Sequence, residues 1–279
     1  MIKNVLVNGC SFTYGHGDTE FADTGELMPP RDFVWPYKLE KLFTTQMVKT
    51  INVSKGGASN NRIVRTTLEG VEKHKPDAVI VQWSSPFRSE WYDEMWETYY
   101  GLIPTGAIKD SDKRFHEPLD MFGEPNLYMP VPKMRDYGYE TEYYRNIKKA
   151  SQMYQAYMMN HVEAMISFCK DAILVQNYLE KRNIPYLFTS MSYACNLGRP
   201  IGATESIWDM IEETPLPYIS HLREEVDNSK WTRYPFSAMI GDHIVSHDPW
   251  DPHPNDVGHE LIAKELHKEI VKRELLKDN

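Results

Sequence analysis

Cysteine is scarce in this chain of 279 residues: Cys10, Cys169 and Cys195 are too few and too scattered for a disulfide framework. That scarcity excludes the small disulfide-stapled secreted class and points to a reducing, intracellular setting. Long apolar runs are also missing. The strongest stretches, such as Ala78 to Val81, fall far short of the roughly 20 residues a membrane helix needs. The first residues, MIKNVLVNGCSF, are interrupted by Lys3, Asn4 and Asn8, so no signal-peptide core forms and a cytoplasmic location is expected. Basic residues are the minority, 31 against 40 acids, for a net charge of −9. This argues against nucleic acid or an anionic membrane as the main partner, because both demand a basic face. Repeats and low-complexity segments are absent. A chain of this length buries roughly 75% of its unfolded surface and needs neither disulfide nor metal to hold a core. Hydrophobic residues at 41% and charged residues at 25% are ordinary for a globular protein.

Aromatic residues are plentiful: 7 Trp, 17 Tyr and 10 Phe, with 14 Met beside them. Many fall in polar stretches such as Ser89 to Tyr100. Aromatics in that setting either line a ligand surface or pack half-buried beneath loops.

Hydrophobic patterning alternates between strands and helices. Ile2 to Val7 reads as a buried strand running into a turn at Asn8-Gly9. Val34 to Phe43 has helical spacing through Trp35, Leu39 and Leu42. Val48 to Val53 is a second strand, closed by Lys55-Gly56-Gly57. Ser59 is placed to cap a helix from Asn61 to Lys75, which Pro76 ends. Ala78 to Val81 is a third strand, apolar throughout as a central parallel strand should be. Periodicity then disappears from Pro86 to about Glu140, where six prolines interrupt the chain. From Thr141 to Arg182 apolar residues recur at helical steps, one long helix or two abutting ones. Ile184 to Met191 is a fourth strand, 192–250 is irregular with short helical pieces, and Gly258 to Leu276 is a terminal helix. This order predicts a three-layer α/β fold, a parallel sheet flanked by helices, in one domain spanning 1–279 with insertions at about 86–140 and 192–247.

Ligands of parallel α/β sheets sit at the carboxyl ends of the strands. The first such loop reads Asn8-Gly9-Cys10-Ser11-Phe12-Thr13, and a serine at a strand-to-helix turn either exposes a reactive hydroxyl or caps the helix. Cys10 reads as a small buried hydrophobe. The second loop, Asn52 to Ser59, holds two glycines that permit close backbone approach to a ligand. The third lies near the end: His247-Asp248-Pro249-Trp250-Asp251-Pro252-His253-Pro254-Asn255-Asp256-Val257-Gly258-His259. A carboxylate two residues before His253 can orient its imidazole for general-base work on a serine. In the plainer alternative Asn255 or Asp256 caps the last helix. His243, His247, His253 and His259, interleaved with Asp248, Asp251 and Asp256, also raise a zinc site, though no cysteine or His-Glu-x-x-His pattern accompanies them.

The set Gly-Cys-Ser-Phe-Thr, Asn-x-x-x-Gly-Gly-x-Ser and Asp-x-His-Pro-Asn-x-x-Gly-His, in that order, resembles the SGNH (GDSL-like) hydrolase family. The likeness covers 2–85, 184–191 and 248–276. It implies a flavodoxin-like fold and a cofactor-free, metal-free esterase acting on a small-molecule or glycan ester, such as an O-acetylated carbohydrate. In that reading Ser11 is the nucleophile, His253 the general base and Asp251 its orienting acid, with Asp248 as the other choice. Ser11 and Gly57 supply oxyanion amides. The family's Gly-x-Asn-Asp block after the third strand is missing, and Ser85 stands nearest to replace its asparagine, ahead of Ser84 and Arg88. The alternatives are an O-acyltransferase with the same triad, which sequence does not distinguish from an esterase, and a non-catalytic carbohydrate-binding or structural protein on this scaffold.

Overall fold

The computed structural model describes residues 2–15, 33–93, 98–102, 161–192, 217–244 and 253–277. Its centre is a four-stranded parallel sheet in the order β2-β1-β3-β6, formed by β1 (Ile2–Asn8), β2 (Met47–Asn52), β3 (Ala78–Trp83) and β6 (Tyr186–Ser190). This is the doubly wound, flavodoxin-like order, and it reverses direction between β1 and β3. Parallel strands covered on both faces must be apolar on both. Val5, Leu6 and Val7, like Val79, Ile80 and Val81, are buried without a break.

The helices form two packed sets. On one side α3 (Asn60–His74) packs against β1 and against α4 (His161–Glu180). On the other, α2 (Trp35–Leu42) packs against the terminal helix α7 (Asp256–Lys272). The sheet meets α3 closely: a methyl group added at Gly70 would stand 3.0 Å from Leu6 Cδ1. Truncating Leu6 to Ala there would cost about 2–5 kcal/mol through lost burial and the cavity left behind. Caps close α3 as its sequence indicates. Ser59 Oγ accepts the Arg62 amide at 3.2 Å, and Lys75 ends α3 at φ 47° immediately before Pro76. A short helix α5 (Pro217–Glu224), a 3-10 turn at Asn228–Lys230 and α6 (Phe236–Ile240) follow β6. No helix among the described residues is long and apolar enough to cross a membrane.

Two differences from the sequence reading stand out. The third strand runs two residues longer, to Trp83, because Gln82 is accepted into the buried interior through side-chain hydrogen bonds that local polarity does not reveal. Within the stretch read as aperiodic, β4 (Ser89–Asp93) and β5 (Thr98–Leu102) pair as an antiparallel hairpin, with Trp91 opposite Tyr100 and Tyr92 opposite Tyr99. A two-stranded ribbon outside the main sheet need not show the alternation by which strands are recognised, and only its β-favouring aromatics mark it. Residues 141–160 of the long predicted helix, and most of both predicted insertions, lie outside the described residues.

Candidate active site

β1 ends in Asn8, whose side chain is fully engaged. Its Nδ2 donates to Ile63 O (2.9 Å), Thr66 Oγ1 (2.9 Å) and Thr67 Oγ1 (2.8 Å) on α3, while Oδ1 accepts the Gly9 amide at 2.8 Å. The chain must then turn sharply into α1 (Ser11–Tyr14), and Gly9 is required there. Any Cβ at this position would stand 2.5 Å from Thr13 Oγ1 and 2.6 Å from Gln82 Oε1. From β3, Gln82 Oε1 accepts the Cys10 amide (3.0 Å), the Cys10 thiol (3.3 Å) and the Thr13 hydroxyl (3.1 Å). The turn is therefore fastened to α3 on one side and to β3 on the other.

Ser11 is the first residue of α1, and the N-cap is Cys10, which makes no side-chain cap. The alternative in which Ser11 serves as the cap is thereby removed. Thr13 and Tyr14 donate their amides back to Cys10 O, at 3.0 Å each. The Ser11 and Phe12 amides belong to the first turn, where no carbonyl of the helix itself can reach them. Ser11 is 4% exposed, and Oγ has Cys10 Sγ at 3.9 Å. Cys10 is completely buried, as its small apolar character suggests.

The glycine turn after β2 is latched to the same place. Lys55 donates its amide to Gly9 O at 3.3 Å, Ala58 closes the turn on Lys55 O, and Gly57 takes φ 72°, a conformation suited to glycine. Asn52 Nδ2 donates to Thr13 O at 3.0 Å, so β2 also grips α1. The carboxyl ends of β1, β2 and β3 thus converge on Ser11.

At the end of β3 the structure holds an asparagine that the motif reading did not assign. Asn60, the first residue of α3, accepts the Ser84 amide at 2.9 Å through Oδ1 and donates Nδ2 to Ser84 O at 3.3 Å. It stands 24 residues from its partner, and nothing local in the sequence signals the pairing. Ser84 Oγ accepts Arg88 Nη1 at 2.9 Å. Ser85 Oγ accepts the Phe87 amide at 3.3 Å in a turn closed by Arg88 N–H on Ser85 O.

His253 lies where α7 is about to begin. Its ring packs on Phe12, with centroids 5.2 Å apart at 41°, which brings the imidazole against α1. Nε2 is buried, and no hydrogen bond links it to Ser11 Oγ. Asp251 and Asp248, the two candidate acids, lie outside the described residues. The rest of the histidine motif builds the start of the helix. Asn255 Oδ1 caps it by accepting the Gly258 amide at 2.9 Å, and a Cβ on Gly258 would stand 2.5 Å from His243 O. His259 is fully buried, with Nδ1 accepting the Trp35 amide at 3.4 Å across to α2 and Phe33 edge-on at 5.2 Å. Burial drives its pKa down to about 3, and the Lys38 charge pushes the same way. His259 is therefore a neutral structural acceptor. Among the described residues no group of three or more His, Cys, Asp or Glu could hold a metal ion.

Fold and site together define a doubly wound α/β domain with a buried serine at the head of a helix after its first strand. No family model and no curated protein matches the sequence. Among solved structures, the chain is similar to the psychrotrophic esterase EstA from Pseudoalteromonas sp., at 11% identity over 97% of this chain and 98% of that one, with a TM-score of 0.47. It is also similar to a lipase/acylhydrolase from Enterococcus faecalis, at 14% identity over 97% and 96% with a TM-score of 0.45. A G-D-S-L family lipolytic protein from Desulfitobacterium hafniense matches at 12% identity over 96% and 99%, with a TM-score of 0.41.

Proposed function

We propose that the protein is a serine-dependent ester hydrolase that removes an O-acyl group, such as acetyl, from a carbohydrate or another small polar ester. The observation that carries this reading is the placement of Ser11: first residue of a helix, at the carboxyl end of β1, in a turn clamped by Asn8 and Gln82, with the His253 ring against the adjoining Phe12.

In this mechanism His253 takes the Ser11 proton as Oγ attacks the acyl carbon. No hydrogen bond joins the two groups in the structure, and the mechanism has it form as substrate binds. Asp251 orients the imidazole and stabilises its charged form. The carbonyl oxygen becomes an oxyanion, and the Ser11 and Gly57 amides and the Ser85 hydroxyl are the donors assigned to it. His253 then returns the proton to the departing alcohol. The same imidazole activates a water that attacks the acyl-enzyme, releasing the acid and restoring Ser11.

A fluorophosphonate probe tests this directly. The expected result is stoichiometric labelling at Ser11, confirmed by peptide mass, and loss of hydrolysis of 4-nitrophenyl acetate in Ser11→Ala. Absence of labelling in the folded wild-type protein overturns the reading.

A further inference from the structure

Near the turn that carries Ser11, the described residues gather more basic side chains than acidic ones. Lys55 is tied by its own amide to Gly9 O, and the first two turns of α3 carry Arg62 and Arg65. The two arginines face Glu90 of β4, whose side chain is 6% exposed. It accepts Arg65 Nη2 at 2.9 Å and lies 3.8 Å from Arg62 Nη1. Arg65 has a second acid in Glu69, at 3.7 Å on the solvent side. Lys55 makes no ion pair among the described residues. Arg88, two residues before Glu90, donates to the neutral Ser84 hydroxyl. Burial and the repulsion of Arg62 both lower the Lys55 pKa, and the attraction of Glu90 is the smallest of its three influences.

Such crowding is costly without a function, because partly desolvated like charges repel. It is also out of character for a chain with a net charge of −9. Glu90 acts as the brace that fixes two guanidinium groups, while the ammonium of Lys55 and the loosely paired Arg62 keep donors to spare. A guanidinium fork beside an ammonium suits an oxygen anion with two or more acceptor atoms.

We propose that Lys55 and Arg62 form an anion subsite beside Ser11, and that the ester cleaved there carries a carboxylate or phosphate group lying over the start of α3. This rests on the esterase reading for the chemistry at Ser11, but the subsite can be measured without it. Glu90 and Arg65 are its positioning residues.

Two measurements test it. In the first, inorganic phosphate and succinate are titrated calorimetrically into the full-length protein at low ionic strength. Wild-type protein is expected to bind at least one of them, and the tighter binder tells phosphate from carboxylate. Lys55→Gln with Arg62→Gln should weaken that binding tenfold or more, Lys55→Arg should retain it, and Ser11→Ala should leave it unchanged. In the second, hydrolysis of 7-acetoxycoumarin-3-carboxylate is compared with that of neutral 7-acetoxy-4-methylcoumarin. The double variant should lower the anionic-to-neutral ratio of kcat/KM tenfold or more. The subsite is overturned if neither anion binds wild type at millimolar concentration, or if the correctly folded double variant matches wild type in both binding and ratio. Anion binding that depends on Lys55 and Arg62, without Ser11-dependent hydrolysis of either ester, supports the subsite and overturns the esterase reading instead.

Discussion

Gln82 holds Cys10 by two bonds at once: its Oε1 accepts both the amide, at 3.0 Å, and the thiol, at 3.3 Å, of the residue immediately before Ser11. One buried side chain on β3 thereby sets the direction in which β1 delivers its serine. Nε2 of the same amide donates to Trp83 O at 2.6 Å, so the group cannot rotate without losing bonds at both ends. Replacing Gln82 with Met keeps much of the volume but strips a buried amide of its acceptor, a loss of about 1–3 kcal/mol. The expected outcome is a lower unfolding temperature and a kcat on 4-nitrophenyl acetate reduced about tenfold with KM nearly unchanged, since ground-state binding does not involve this residue. Gln82→Glu, which keeps an acceptor oxygen, should restore part of kcat. Equal losses in kcat for Met and Glu variants of equal stability would refute the positioning role.

The orienting acid is decided by comparing two carboxylates. Asp251→Asn should lower kcat/KM by ~10²-fold or more, because the amide no longer stabilises the imidazolium. Asp248→Asn should change it less than twofold. A reversal of these two values would move the acid to Asp248.

In the proposed mechanism Ser85 replaces the missing asparagine as an oxyanion donor; in the structure its hydroxyl accepts the Phe87 amide at 3.3 Å. Ser85→Ala should reduce turnover of an acetyl ester about tenfold while KM stays within twofold. An unaltered kcat in this variant, with Ser11→Ala inactive, would show that two backbone amides suffice.

His259 predicts a pH dependence of stability. Its pKa falls from 6.5 to about 3 on folding, chiefly through burial. Between those values the unfolded chain binds a proton that the folded chain refuses, so stability declines as pH drops below about 6.5 and continues to decline towards 3. Thermal unfolding followed from pH 7 to pH 4 should show a falling Tm. His259→Gln, which has no group titrating in this range, should flatten that slope. An identical slope in wild type and variant would place the acid sensitivity elsewhere.

Much of this architecture is written in local sequence. β1, β3 and β6 declare themselves through short apolar runs, because a strand covered on both faces has no polar side to show, and the edge strand β2 through its alternation. Ser59 and Asn255 announce their helices because a cap bonds an amide only three residues away. The glycines of the Ser11 and Gly57 turns are legible for the same reason, since backbone constraint is a property of adjacent residues. What joins those pieces was decided by tertiary structure alone. Asn60 meets Ser84, Gln82 meets Cys10 across 72 positions, and His259 meets the Trp35 amide across 224. No periodicity encodes such pairs, because they form only when the strand order β2-β1-β3-β6 has brought distant loops to one edge of the sheet. The gathering of Lys55, Arg62 and Arg65 near Glu90 belongs to the same category: four charged residues unremarkable in sequence come together because a hairpin folds Glu90 against the first turns of α3.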